Sequence, residues 1–205
     1  MMELKKYNGS FSINKPVDDV TYKLLKGLSE TRRMKRDVVK LGKRVYNKKR
    51  ATKENIAQWE KEFGVEGEFW VGDTEDCGKV KTEDVINYDH PPKSQPNLSC
   101  CWTIDYDKKT ILWKDNADED LYDLEWIMYI VNNILKPRGY VLNGVVSWKG
   151  EDLKEDENLE DRGKIKVTNN VITVRHTDAL NRPNKSTTAS SVDQLMNYLL
   201  NGKLR

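Results

Sequence analysis

Residues 124–149, LEWIMYIVNNILKPRGYVLNGVVSWK, change their hydrophobic period part way along. Up to Leu135 the apolar residues recur three and four apart: Leu121, Leu124, Met128, Val131 and Leu135 form one stripe, and Ile127, Ile130 and Ile134 widen it. That spacing predicts a helix over 118–135 with a broad buried face. Asp118, Glu119 and Asp120 in its first turn suit the positive end of the helix dipole. Lys136, Pro137 and Gly139 end it. From Tyr140 the period drops to two, which predicts a strand over 140–149. A chain obliged to bury both a wide helical stripe and one face of a strand is expected to fold as α+β.

Asn143-Gly144 interrupts this strand with the strongest short hairpin signal a sequence offers. A turn there would place Tyr140, Leu142, Val145 and Ser147 on one face. A continuous strand places Tyr140, Leu142, Gly144, Val146 and Trp148 together and leaves Val141, Asn143, Val145, Ser147 and Lys149 opposite. The second division separates large apolar from mostly polar residues better, so a continuous strand is expected. Gly144 then marks a bulge or a close approach of another group to the backbone.

The remaining elements are read in the same way. GSFSINKP reads as a strand carrying Phe11 and Ile13 and closed by Pro16. Asp18 or Asp19 caps a helix burying Val20, Leu24 or Leu25, and Leu28. A second helix carries Met34, Val38, Leu41 and Val45 on one stripe, and a third, near 53–63, carries Ile56, Trp59 and Phe63 and stops at Gly64. GEFWVG reads as a strand, NYDHPPKSQPNLSCC as a proline-punctuated loop, and CWTIDYDKKTILW as a hairpin. GKIKVTNNVITVR reads as a hairpin turning at Asn169-Asn170, since Asn tolerates positive φ. TDALNRPNKSTTAS reads as a linker, and Ser191 to Gln194 as a capping box opening a last helix. The expected organisation is one α+β domain over 1–176, containing a basic helical segment over 14–64, followed by a polar linker and C-terminal helix over 177–205. Its sheet is antiparallel, built from residues near 68–72, 101–113, 140–149 and 164–175, and packs on the 118–135 helix.

Several functions lack their signature. No apolar run is long enough to span a bilayer, and the first residues do not resemble a signal peptide, so a cytoplasmic protein is expected. Cys77, Cys100, Cys101, His90 and His176 have no zinc-ligand spacing. The acidic runs 115–125 and 151–161 do not follow the calcium-loop template, and no metal or other cofactor is expected. There is no Gly-x-Ser-x-Gly and no phosphate loop, so no catalytic residue is assigned.

Charge carries more. The net charge of +2 conceals +9 over residues 1–65, −11 over 66–165 and +4 over 166–205. Within the basic third, TRRMKRD places Arg32, Arg33, Lys35 and Arg36 within about one and a half helical turns. Guanidinium forks match phosphate oxygens two at a time. These four are therefore the candidate phosphate ligands, weighed against a solvated helix face or docking on the protein's own acidic half. Trp102 and Trp148, each at a strand end beside a polar loop, are the candidate stacking platforms for a base.

The segments TYKLLKGLSETRRMKRD, GVEGEFWVG, VINYDHPPKSQPNLSCCW and EWIMYIVNNILKPRGYVLNGVVSWKGED…DRGKIKVTNNVITV together resemble a family of functionally uncharacterised bacteriophage and bacterial proteins. The resemblance covers most of residues 8–174. Residues 43–62 are extra length beside the family pattern, and the tail from about 177 lies outside it. It implies a phage or phage-exposed setting, hence the host cytoplasm for a phage-encoded chain, and assigns no chemistry. The expectation is a non-enzymatic binder of an anionic nucleotide or nucleic acid, acting in host takeover or counter-defence. The alternatives are an inhibitor of a host protein acting through the acidic surface, and a hydrolase whose carboxylates have no visible pattern.

Overall fold

The structure is a computed structural model and describes residues 4–72, 78–114, 122–151, 162–177 and 186–189. The fold is α+β. Where the sequence predicts one domain over 1–176, the chain falls into two compact units. One comprises 1–17, 104–115 and 123–205, and the other 18–103 and 116–122.

The first unit is built on an antiparallel sheet. β1 (Leu4–Ile13) is an inner strand, flanked by β5 (Thr110–Trp113) and β6 (Leu142–Glu151). β7 (Arg162–Thr168), β8 (Val171–Thr177) and β9 (Ser186–Ala189) continue the sheet beyond β6. Ile104, the last residue of β4 (Trp102–Ile104), extends it beside β5. β9 corrects the reading of 177–190 as a linker: Ser186–Ala189 pairs with Ile172–Arg175 of β8. The C-terminal helix expected from Ser191 lies outside the described residues.

β6 is one continuous strand. Its register with β1 runs unbroken from Leu4↔Glu151 to Ile13↔Leu142, straight through Gly144. Gly144 has φ +140°, and a Cβ there would lie 2.6 Å from the Ser10 carbonyl oxygen and 2.9 Å from the Phe11 Cα. Phe11 faces Gly144 across the ladder and takes the space a side chain would fill. Gly163 plays the same part opposite Trp148, whose indole occupies the place of a Cβ. On this inner face Phe11, Ile13, Ile111, Leu142, Val146, Trp148, Ile165, Val167, Ile172 and Val174 are all buried.

The hairpin β7–β8 turns at Asn169 and Asn170, with φ of 50° and 65°. Two consecutive left-handed residues give the primed turn that matches strand twist. The Asn170 side chain accepts from the Leu142 amide (2.7 Å) and donates to the Tyr140 carbonyl (2.9 Å). Asn143, the other candidate turn residue, accepts from the Asn169 amide (2.8 Å), so it serves the neighbouring turn from within β6.

α4 (Asp123–Tyr129) continues as a π-helical turn, Ile130–Leu135, and a 3₁₀ turn, Lys136–Arg138, before Gly139 at φ 74° stops it. The start of the predicted helix, 118–121, lies outside the described residues. Trp126 to Val131 are all buried, and the Tyr7 hydroxyl of β1 donates to the Asp123 carboxylate.

The second unit is mainly helical. α1 (Asp19–Glu30) is capped by Asp18, whose carboxylate accepts from the Thr21 amide at 2.8 Å. Leu24, Leu25 and Leu28 are buried as predicted, but Val20 is 74% exposed. The second helix does not begin at Met34. Asp37 accepts from the amides of Val39 and Lys40 and caps α2 (Val38–Val45), so the residues before it are not helical. Lys35–Arg36 instead form a two-residue strand, β2, antiparallel to β3 (Val85–Asn87). A continuous basic helical segment is therefore absent here, and Val45 is exposed. α3 (Lys53–Phe63) starts with a Thr52/Asn55 capping box. It packs on α2 through Leu41, Trp59 and Phe63, with the Trp59 indole lying where a Gly42 Cβ would be. The expected strand GEFWVG is not formed. Gly64, Glu66 and Gly67 all have positive φ and wind the chain through a 3₁₀ turn, Val65–Gly67.

Among the described residues, no helix is long and apolar enough to cross a membrane, and no group of three or more His, Cys, Asp or Glu is placed to hold a metal ion.

Candidate anion-binding surface

The Thr31–Asp37 stretch is extended rather than helical, so its cations point in different directions and meet different partners. Arg33 is 2% exposed. Its Nε donates to Gln95 Oε1 (3.1 Å), and its two terminal nitrogens donate to the carbonyls of Trp70 (2.6 Å) and Glu68 (2.7 Å). Arg36, also 2% exposed, lies 3.9 Å above the Trp70 ring. It donates to Asp84 (2.6 Å), to the Thr82 hydroxyl (3.2 Å) and to the Gly78 carbonyl (3.4 Å). Arg44 binds the other oxygen of Asp84 at 2.6 Å. Burial pushes the Asp84 carboxyl up, but hydrogen bonds from Arg44, Thr82 and Arg36 and the charge of Arg36 outweigh it, so the group is held below the usual carboxylate range.

The other two cations of the cluster are only partly covered. Arg32 lies 4.5 Å above the Tyr88 ring, donates to the Tyr88 carbonyl (3.3 Å) and stands 3.6 Å from Asp89. Lys35 pairs with Glu66 at 2.5 Å. Arg33 and Arg36 thus brace the second unit from inside and offer no surface to a phosphate, whereas Arg32 and Lys35 keep about a quarter to a third of their side-chain surface in solvent. A buried guanidinium needs acceptors for its donors, and carbonyls, an amide, a hydroxyl and one carboxylate supply them here for all but the Arg36 Nε.

The candidate stacking residues are also internal. Trp102 is fully buried and Trp148 is 5% exposed against Gly163, so neither presents a ring face to a base.

The outer face of the first unit's sheet is different. Alternation along β7 turns Gly163, Ile165 and Val167 inward and leaves Arg162, Lys164 and Lys166 exposed. The ladders then align these cations with others. One row across the strands reads Lys6, Lys149, Arg162; the next reads Asn8, Ser147, Lys164, Arg175; the next reads Ser10, Val145, Lys166, Thr173. All six cations are exposed. Three of the direct cross-strand pairs join like charges: Lys6↔Lys149, Lys149↔Arg162 and Lys164↔Arg175. Directly opposed residues have Cβ atoms about 4.5–5.5 Å apart, and like charges so placed repel. No acidic residue stands in these three rows; Glu151 follows at the end of β6, opposite Leu4. Among the described residues, Lys164, Lys166 and Arg175 make no ion pair. The strongly acidic stretches 115–120 and 152–161 lie outside the described residues.

The signal for this face is the period-two spacing of cations in RGKIKVT, set against Arg175 and Lys149 in the neighbouring strands. Cations adjacent in sequence stand out at once, whereas these become neighbours only through strand register.

The chain matches no protein-family model, no curated protein and no solved structure.

Proposed function

We propose that the protein binds an anionic ligand, a nucleotide or nucleic acid, without transforming it, and that the outer face of β1, β6, β7 and β8 takes the anion. The observation that supports this most is Lys164 directly opposite Arg175, with Lys166 exposed in the adjoining row. Such an arrangement opposes folding in the free protein and favours any partner that brings negative charge. The rows supply ammonium, guanidinium, hydroxyl and amide donors, the groups that hold phosphate oxygens. The resemblance to phage-associated proteins points to host takeover or counter-defence as the setting.

The reading is tested by calorimetry of the parent and a Lys164→Gln/Lys166→Gln/Arg175→Gln variant against nucleotides, cyclic dinucleotides and short oligonucleotides. Hydrogen bonds to charged groups contribute about 1.5–3 kcal/mol each, so the triple variant is expected to lose at least a hundredfold in affinity while melting cooperatively. Equal affinity in the two proteins removes the face from the site.

A further inference from the structure

We infer that the anion held by this face is the phosphate backbone of a nucleic-acid duplex, bound without regard to sequence. The inference rests on the anion-binding reading above and specifies its ligand.

The spread of the cations argues for an extended partner. From β1 to β8 there are three strand spacings, about 14 Å, and Arg162 to Lys166 covers a further 13 Å or so along β7. A mononucleotide concentrates its charge over a few ångströms and is usually held in a concave pocket that surrounds it. Cations placed in rows across an open sheet face meet many separated phosphates more readily than one cluster. A duplex offers one charge per about 1.7 Å of axis, and each cation that neutralises a phosphate releases condensed counterions.

The residues between the cations decide among polyanions. Single-strand binders place aromatic rings where bases can stack. The outward positions of β1, β6, β7 and β8 in these rows carry Asn8, Ser10, Val145, Ser147 and Thr173 and no aromatic residue. A membrane-binding surface would add large apolar side chains to its cations. Among the described residues, the large apolar side chains exposed here are Val145, 45% exposed, and Val171 at the turn, 43% exposed. Hydroxyls, an amide and cations suit phosphate and sugar oxygens, which fix position and carry no sequence information.

The experiment is a salt titration of binding by fluorescence anisotropy. The probes are two duplexes of equal length and unrelated sequence, one of their single strands, a nucleoside triphosphate, poly-L-glutamate, and vesicles containing anionic lipid. The two duplexes should bind with affinities within about threefold of each other and more tightly than every other probe. The slope of log K against log salt becomes shallower by about 0.9 for each phosphate the protein no longer neutralises, so the Lys164→Gln/Lys166→Gln/Arg175→Gln variant should show a duplex slope shallower by about 3. Lys166→Gln alone, at a position facing Val145 and Thr173, should flatten it by about 1 and serves if the triple variant does not fold.

A triphosphate bound as tightly as the duplexes overturns the duplex inference and leaves the anion-binding face standing. Preference for the single strand, for poly-L-glutamate or for vesicles overturns it in favour of that partner. A duplex slope unchanged in both variants, or no binding to any probe, overturns the inference and the proposed function together.

Discussion

Single residues in this chain are fixed by what their neighbours leave room for. Gly144 is the clearest case, because both its φ of +140° and the 2.6 Å approach to the Ser10 carbonyl exclude a side chain. Gly144→Val is expected to cost about 1–3 kcal/mol from overpacking, with backbone strain added, measured as a lower denaturation midpoint with an unchanged slope. A variant as stable as the parent would mean that β1 and β6 are not pinned there. Asp84 is the counterpart in the second unit: 1% exposed, it joins Arg36 to Arg44. Its carboxyl is held low in the folded chain, so the stability it contributes is present above the unfolded carboxylate pKa, about 3.9, and is lost as pH falls through the depressed folded value. Asp84→Asn should cost about 3–5 kcal/mol near neutral pH and flatten the acid limb of a plot of melting temperature against pH. An acid limb as steep as the parent's would assign that pH dependence to other carboxylates. Sequence alone showed that Gly144 is special, since alternation ran through it. It did not show that Arg33 and Arg36 are internal, because their partners Gln95, Trp70, Glu68 and Asp84 are 35–62 residues away in the chain.

Elements were legible where a strong period coincided with a local stop signal. The β7–β8 hairpin and its Asn-Asn turn, the β6 strand, α1 with its Asp18 cap and α3 before Gly64 all follow the pattern in the residues. Two of the misreadings share one physical cause, which is local backbone chemistry overriding periodicity. Asp37 caps α2 and releases Lys35 and Arg36 into a strand, and three positive-φ residues between Gly64 and Gly67 turn GEFWVG away from a ladder. At this scale the outer face of the sheet makes its own prediction. Replacing one member of the Lys164↔Arg175 pair by Gln removes a repulsion of about 0.2–1 kcal/mol. Lys164→Gln should therefore raise the melting temperature of the ligand-free protein slightly at low salt, and the gain should vanish at high salt. A lower melting temperature at low salt would show that Lys164 is satisfied within the fold.

Over the whole chain, charge segregation was visible from the start, but which cations face solvent was not. The net of +9 over residues 1–65 first directs attention to Arg32, Arg33, Lys35 and Arg36, whereas the aligned exposed cations of the sheet come mostly from residues 149–175, a stretch with no such local run. Register, which brings residues as far apart in the chain as Asn8 and Arg175 into one row, creates this surface. The most direct test of its role is a map of nuclear magnetic resonance shift changes in the isotopically labelled protein as a short duplex is added. The signals of Lys149, Lys164, Lys166 and Arg175 and their strand neighbours are expected to move first and furthest. Saturating changes confined to Arg32, Lys35 and their surroundings, with β6, β7 and β8 unmoved, would contradict the assignment of the site to the sheet.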